Sequence, residues 1–430
     1  MTGALDLARA APRVIRASAG DPLALPEMLL ELEQRWLVWD RCIAGARRVD
    51  VHPLLLDEAA HLEAIEVAEK AAALVFRAGD RAASDPAERA LYNLHPDVER
   101  LAQAARTGGD RSALVRVDLL LREGEGEGAR RFLACEVNAD CPGGHNETLA
   151  LPRIAKMAGF RGGRDPTTVA LRLADRLVEA SGGRGSPRGA IGFVCATAYA
   201  EDLQVCAIVE RLVRERGGRA VRVPATGPVA SADGARVEYR GERLAVLYRF
   251  YPLEYMQEQA NVPALARATE LGELTCISSF SAIHAQSKLA MARGWLAEPA
   301  ASAGVFPETY AFRSLDGSTL ARERHDWVLK RDLSRVGDHV LVGALETDEA
   351  FRAALDGVAA AEAEGEVWIA QRFVPPGTVA TPWGPRCLTL GVYLLDGVFV
   401  GYLARLTTAS HCSHDALVVP VFVAGGAGAG

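Results

Sequence analysis

The chain has 430 residues, 49% of them hydrophobic and 24% charged, with 48 Lys and Arg against 55 Asp and Glu for a formal net charge of −7. That length fills more than one packed domain at ~100–200 residues each, and the ample Leu, Val and Ala exclude a disordered chain. The acidic balance excludes a nucleic-acid binder that works through a basic surface, because neutralising phosphates requires clustered Lys and Arg.

From Leu23 to about Arg106 the sequence is rich in Ala, Leu, Glu and Arg, and Leu55, Ala59, Leu62, Ile65 and Ala68 recur at helical spacing, which predicts a helical N-terminal region over 1–110. The period then changes. Val115, Val117, Leu119 and Leu121 alternate with Arg116 and Asp118, and the segment from Arg131 to Asn138 alternates again beyond the acidic Glu123-Gly-Glu-Gly-Glu-Gly loop, so two strands joined by that loop are expected. A helix is predicted around Thr167 to Ala180, ahead of a Gly- and Ser-rich linker at 181–188. Strand, helix and strand follow at Ala190 to Ala196, Ala200 to Arg216 and Ala220 to Val223, with further strands at Leu244 to Arg249 and Thr275 to Ser278, suggesting a small α/β domain over 186–280. A dinucleotide fold would want G-x-G-x-x-G at its first turn, and Cys195-Ala-Thr-Ala-Tyr does not supply it. From Ala282 a helix containing Lys288 leads to strands at Trp327 to Lys330, His339 to Val342, Val367 to Val374, Leu388 to Leu395 and Val398 to Arg405, with Asp396-Gly397 marking a hairpin.

A strand period of 2 places Arg116 and Asp118 on one face of their strand, and Glu136 and Asn138 on one face of theirs. A register pairing Asp118 with Glu136 also pairs Arg116 with Asn138. Two carboxylates and an amide oxygen form a hard, all-oxygen group suited to Mg²⁺, and an adjacent Arg suits a phosphoryl oxygen. Read alone, the pattern fits a hydrated polar hairpin face equally well.

The continuation Cys135-Glu-Val-Asn-Ala-Asp-Cys-Pro-Gly-Gly-His-Asn-Glu147 decides between them. With Arg116 and Asp118 ahead of it, this stretch resembles the R-x-D strand and E-x-N-A-D-x-P motif of the circularly permuted ATP-grasp ligases, in particular the synthetase domain of glutathionylspermidine synthase. The resemblance implies an α/β ATP-grasp fold with an inserted small α/β domain of pre-ATP-grasp type. One half of the core, over 111–185, would bind metal, and the other, over 281–430, nucleotide. Asp118, Glu136 and Asn138 would ligate Mg²⁺, and Arg116 would contact the transferred phosphoryl group. Asp140, Cys141, Gly143 and Glu147 would lie toward the substrate. The run Cys141-Pro-Gly-Gly departs from the family's small polar run there.

The chain has only four lysines, Lys70, Lys156, Lys288 and Lys330. Two fall where the same resemblance wants a point charge on ATP: Lys288 near the start of the nucleotide half and Lys330 on a strand before a flap. Ser334-Arg-Val-Gly-Asp-His-Val340 is similar to the family's G-R-E-G-x-x-V flap, keeping Arg335 and Gly337 but carrying Val336 in place of Glu. Gln371, with Arg372 and Phe373, resembles the adenine hinge, and Arg405 the late Arg near phosphate and substrate. The implied activity is an ATP- and Mg²⁺-dependent ligase that joins a small carboxylate to an amine of amino-acid, peptide or polyamine type. The rival is an ATP-grasp protein that binds nucleotide without ligase chemistry. No amidase region is expected ahead of the synthetase-like part.

The eight cysteines include no CxxC pair, and no apolar run is long enough for a bilayer, so the expectation is a cytoplasmic chain with neither nucleic-acid nor membrane partners. His411, His414 and Asp415 read as a loop rather than a zinc site, and Cys135 and Cys141 as inert thiols beside the motif.

Overall fold

The alternation from Val115 to Leu121 builds the strand around which the protein is organised. The computed structural model describes residues 11–43, 45–122, 131–183, 188–196, 198–334, 339–409 and 416–425. In it Leu114–Leu121 pairs antiparallel with Phe132–Asn138 on one side and Arg386–Leu395 on the other, and the order continues through Val398–Thr407 to Leu417–Val419. Val115, Val117, Leu119 and Leu121 point to one face, where they pack with the long helix Glu58–Ser84 and with Leu289–Ala297. On the other face, Leu114, Tyr393, Leu395 and Leu403 meet helices His145–Met157 and Val169–Ala180. Arg116 and Asp118 share this second face by alternation. The hairpin between the two longest strands turns at Asp396 and Gly397, with φ of 51° and 82°; positive φ at both central residues makes it a turn of type I′.

A second antiparallel sheet has the order Thr309–Ala311, Trp368–Arg372, Trp327–Arg331, Val340–Val342. Helix Asp348–Ala363 covers one of its faces through Phe351, Leu355 and Val358, packed on Trp327, Leu329, Trp368 and Ala370. The period of 2 therefore sends Lys330, Ile369 and Gln371 to the opposite face, toward the edge strand Phe132–Asn138. The third sheet is mixed: Ala220–Arg222, Ala190–Cys195, Glu242–Phe250 and Thr275–Ile277 run parallel, and Val237–Tyr239 and Val229–Ala230 add an antiparallel edge.

Two expectations need correction. The N-terminal region is not helical throughout: Leu54–Leu56 is a strand, parallel to Val421–Val423 and antiparallel to Arg13–Val14. Pro53 ahead of it lacks the N–H a helix needs, and Leu54 and Leu56 bury on one side. The buried stripe of Glu58–Ser84 is also out of phase with the predicted one, running through Ala60, Ala64, Val67, Ala68, Ala71 and Val75 while Leu62 lies exposed. Small alanines let this helix lie close on the sheet. The second correction is at Lys288, which sits not inside a helix but at the break between Ile283–Gln286 and Leu289–Ala297, where Ser287 is extended.

Candidate active site

Hairpin register assembles the cluster. Arg116 lies opposite Asn138 and Asp118 opposite Glu136, as the polar alternation requires, and a bulge makes Cys135 the unpaired residue before Leu119 meets Ala134. Asp118 is only 1% exposed. Arg116 grips both of its oxygens, Nε at 2.8 Å and Nη2 at 3.1 Å, while Arg405 Nη2 comes within 2.7 Å and Asn138 Nδ2 donates at 3.1 Å. Burial alone would push the Asp118 carboxyl up, but Arg116 and Arg405 outweigh it and hold it at about 2. Glu136 lies 3.2 Å from Lys288 Nζ, and its carboxyl is lowered because that ammonium, with Lys330 and Arg116, overcomes the burial effect.

The second lysine arrives from the second sheet. Lys330 Nζ donates to the Cys135 carbonyl at 2.9 Å and to Gln371 Oε1 at 2.8 Å, and Gln371 Nε2 donates in turn to Thr309 Oγ1 at 3.0 Å. Burial pushes the Lys330 ammonium below its usual range. The same burial pushes the Cys135 thiol up to about 12, which leaves it protonated and non-nucleophilic at neutral pH.

The loop after Asn138 is anchored at both ends. Ala139 and Asp140 amides donate to Gln286 Oε1 at 2.7 and 2.9 Å, and Leu253 N donates to Asp140 Oδ2 at 3.1 Å. The other Asp140 oxygen pairs with Arg249 Nη2 in a fully buried ion pair. Farther along, the Gly143 carbonyl accepts from Arg116 Nη1 at 3.3 Å and from the Tyr393 hydroxyl. Gly144 has φ of 96°, and a Cβ there would come 2.9 Å from Tyr393 Oη and Leu403 Cδ2, so the second glycine is required by conformation and space alike.

Arg116, Asp118, Glu136, Asn138, Lys288, Lys330, Gln371 and Arg405 are thus brought together, and the Gly143 carbonyl joins them through Arg116. Others stand apart. Arg372, on the opposite strand face from Gln371, stacks 4.1 Å over Trp327 and faces Glu308, Glu323 and Asp326, while Phe373 N donates to the Asp326 carbonyl at 2.7 Å. Asp140 is turned into the protein by Arg249, and Cys141 Sγ lies 3.7 Å from its carboxylate. Glu147 is buried in helix His145–Met157, and burial raises its carboxyl. Arg335, Val336, Gly337 and the segment His411 to Asp415 lie outside the described residues.

Sequence reasoning missed Tyr393, Gly391 and Arg249. Gly391 pairs with Asp118 across the sheet, and a Cβ on it would meet Arg116 Cδ at 2.9 Å and Asp118 Oδ1 at 3.1 Å. An isolated glycine inside an apolar strand was the available signal, since it marks close approach of another group. Gly391→Ala is expected to displace the Arg116–Asp118 pair and to cost about 1–3 kcal/mol by overpacking, seen as a lower thermal midpoint.

Among the described residues, no helix is long and apolar enough to cross a membrane. No curated relative matches the chain. Among solved structures, a glutathione synthetase-like effector (GSS30) from Globodera pallida in apo form aligns at a TM-score of 0.61, with 13% identity over 95% of this chain and 99% of that one. That likeness bears on the fold. A putative gamma-glutamylcysteine synthetase from Methylobacillus flagellatus KT aligns at 0.38, with 12% identity over 76% of this chain and 82% of that one. The family model for the glutathionylspermidine synthase preATP-grasp matches residues 47–424, nearly the whole described chain, and the protein belongs to that ATP-grasp ligase-like family.

Proposed function

We propose that the chain is an ATP-dependent carboxylate–amine ligase of circularly permuted ATP-grasp architecture. It would form an amide through an acyl phosphate and release ADP and phosphate. The observation that carries the reading is the gathering of four cations around the paired carboxylates Asp118 and Glu136: Arg116 and Arg405 on Asp118, Lys288 on Glu136, and Lys330 on the Cys135 carbonyl next to Glu136. Nothing in a purely structural hairpin calls for that many. The halves over 111–185 and 281–430 supply them, with the 186–280 α/β unit inserted between and the 1–110 region packed behind.

The donor set fits the proposed Mg·ATP. Among the described residues no three His, Cys, Asp or Glu side chains gather into a metal cage. Two carboxylates and the Asn138 amide oxygen, whose nitrogen is already used on Asp118, suit an ion that keeps water and phosphate in its shell. Mg²⁺ would supply charge neutralisation and a template for the phosphates. Lys288 and Lys330 would hold the phosphates, and Gln371 would orient Lys330. Arg116 and Arg405 would stabilise charge on the transferring phosphoryl group, which with positioning is where most of the rate enhancement in such chemistry arises. The Gly143 carbonyl and Tyr393 fix the Arg116 fork, so little reorganisation is needed. By the resemblance the acceptor side would lie toward the altered Cys141-Pro-Gly-Gly loop, and the family's name makes small peptides and polyamines the first substrates to try.

The test is turnover of Mg·ATP with pooled amino acids, small peptides and polyamines, read by ADP and phosphate release and by mass spectrometry. The expected result is a product equal to carboxylate plus amine less water. If no combination stimulates turnover while nucleotide still binds, the ligase reading fails and binding without ligation replaces it.

A further inference from the structure

The apolar stretch around Lys288 has the composition of one helix, yet the chain breaks there. Ser287 adopts extended dihedrals, φ −61° and ψ 129°, between Ile283–Gln286 and Leu289–Ala297. What holds the break is a carboxylate from another element. Ser287 Oγ lies 2.9 Å from both oxygens of Asp332, and Leu289 N donates to Asp332 Oδ1 at 3.3 Å and to Ser287 Oγ at 3.2 Å. Asp332 is buried. Desolvation raises its carboxyl, against the pull of the Lys288 ammonium, Ser287 and the Leu289 amide.

Asp332 follows the strand Trp327–Arg331, two residues beyond Lys330, and its amide donates to Val367 O at 2.8 Å. Leu333, with φ of 48°, then turns the backbone, and Lys288 Nζ donates to the Ser334 carbonyl at 2.9 Å while facing Glu136. A left-handed leucine is unfavourable and persists where surrounding contacts impose it. Ser287 already offers the Leu289 amide a local acceptor, so the Asp332 carboxylate is not needed for capping alone. Adding a carboxylate from just beyond the Lys330 strand does something the local hydroxyl does not, because it ties the Lys288 break to that strand.

We infer that Asp332 and Ser287 are positioning residues that set Lys288 against Lys330 so that both ammonium groups engage one polyphosphate chain. The inference rests on the nucleotide reading above and adds what holds that site in register. Neither residue touches the nucleotide; both act through Lys288.

The test is a double-mutant cycle on Mg·AMP-PNP affinity, measured by calorimetry on the full chain. Lys288→Met and Asp332→Ala should each weaken binding by about ten- to a hundredfold, the range for losing a charge-assisted contact to phosphate. The double variant should bind no more weakly than Lys288→Met alone, because Asp332 has nothing left to position. Asp332→Asn, which keeps an acceptor for Ser287, should recover part of the loss. Wild-type affinity in Asp332→Ala, or a double variant whose loss is the product of the single losses, overturns the inference. If Asp332→Ala shows no cooperative melt, Ser287→Ala and its double with Lys288→Met are read by the same rule. Failure of the wild-type chain to bind AMP-PNP is a different outcome: it removes the nucleotide reading itself, before any variant is compared.

Discussion

Asp118→Asn is expected to abolish Mg²⁺-dependent turnover and also to destabilise the protein. The carboxylate has two jobs in the geometry: it is the centre of the proposed metal set, and it is the counter-ion of Arg116 and Arg405. Asn keeps the shape and loses the charge, removing from two guanidinium groups the counter-charge that Asp118 supplies. Removing one member of a buried ion pair costs about 3–5 kcal/mol; the partial exposure of both arginines places this case at about 3 kcal/mol or less, several degrees of thermal midpoint. The sign of the pH dependence follows. Asp118 is depressed from 3.8 to about 2 in the folded state, so its stabilisation is fully present above its ordinary value and is lost as pH falls through about 2. Thermal melts between pH 7 and pH 2 should therefore show the wild-type advantage over Asp118→Asn narrowing once pH drops below about 4. A variant that is folded at pH 7 by circular dichroism and turns over at the wild-type rate would take Asp118 out of the proposed metal set.

The hairpin that presents Asp118 was readable from sequence because every requirement is local and periodic. Each strand offers two polar residues two apart, so only one alignment matches them, and the observed register is that alignment. Asp396-Gly397 was readable for the same reason, since the turn type dictates the residues. The buried Asp140–Arg249 pair was not. It spans 109 positions, and nothing local separates a buried Asp from one that meets a ligand. Period alone does show that Gln371 and Arg372 occupy opposite strand faces, so one cleft cannot take both side chains. The Ser287 break was invisible for the opposite reason: local propensity favours a continuous helix, and a distant carboxylate overrides it. The phase of Glu58–Ser84 was misread because large residues dominate a hydrophobicity count, while close helix–sheet approach selects alanines.

Lys330→Met should weaken Mg·AMP-PNP binding by about ten- to a hundredfold while leaving the two sheets in place. Met preserves the aliphatic stem and deletes the ammonium, which hydrogen-bonds the Cys135 carbonyl of one sheet and Gln371 of the other. The cost in stability is smaller than for Asp118→Asn, because both freed acceptors are neutral and Gln371 keeps Thr309. Lys330→Arg should not restore affinity: a planar fork does not reproduce a compact point charge between two acceptors 2.8 and 2.9 Å away. The pH profile separates charge from packing. Burial lowers the Lys330 ammonium from its usual 10.5, so it loses its proton at a lower pH than a free lysine. Wild-type affinity should then decline as pH rises toward that lowered value, a decline that Lys330→Met lacks because it has no proton to lose. Raising the salt concentration should likewise weaken the wild type more than the variant, since part of its binding is electrostatic. Calorimetry that finds equal affinities, or parallel pH profiles, rejects Lys330 as a phosphate contact and leaves it as a tie between the two sheets.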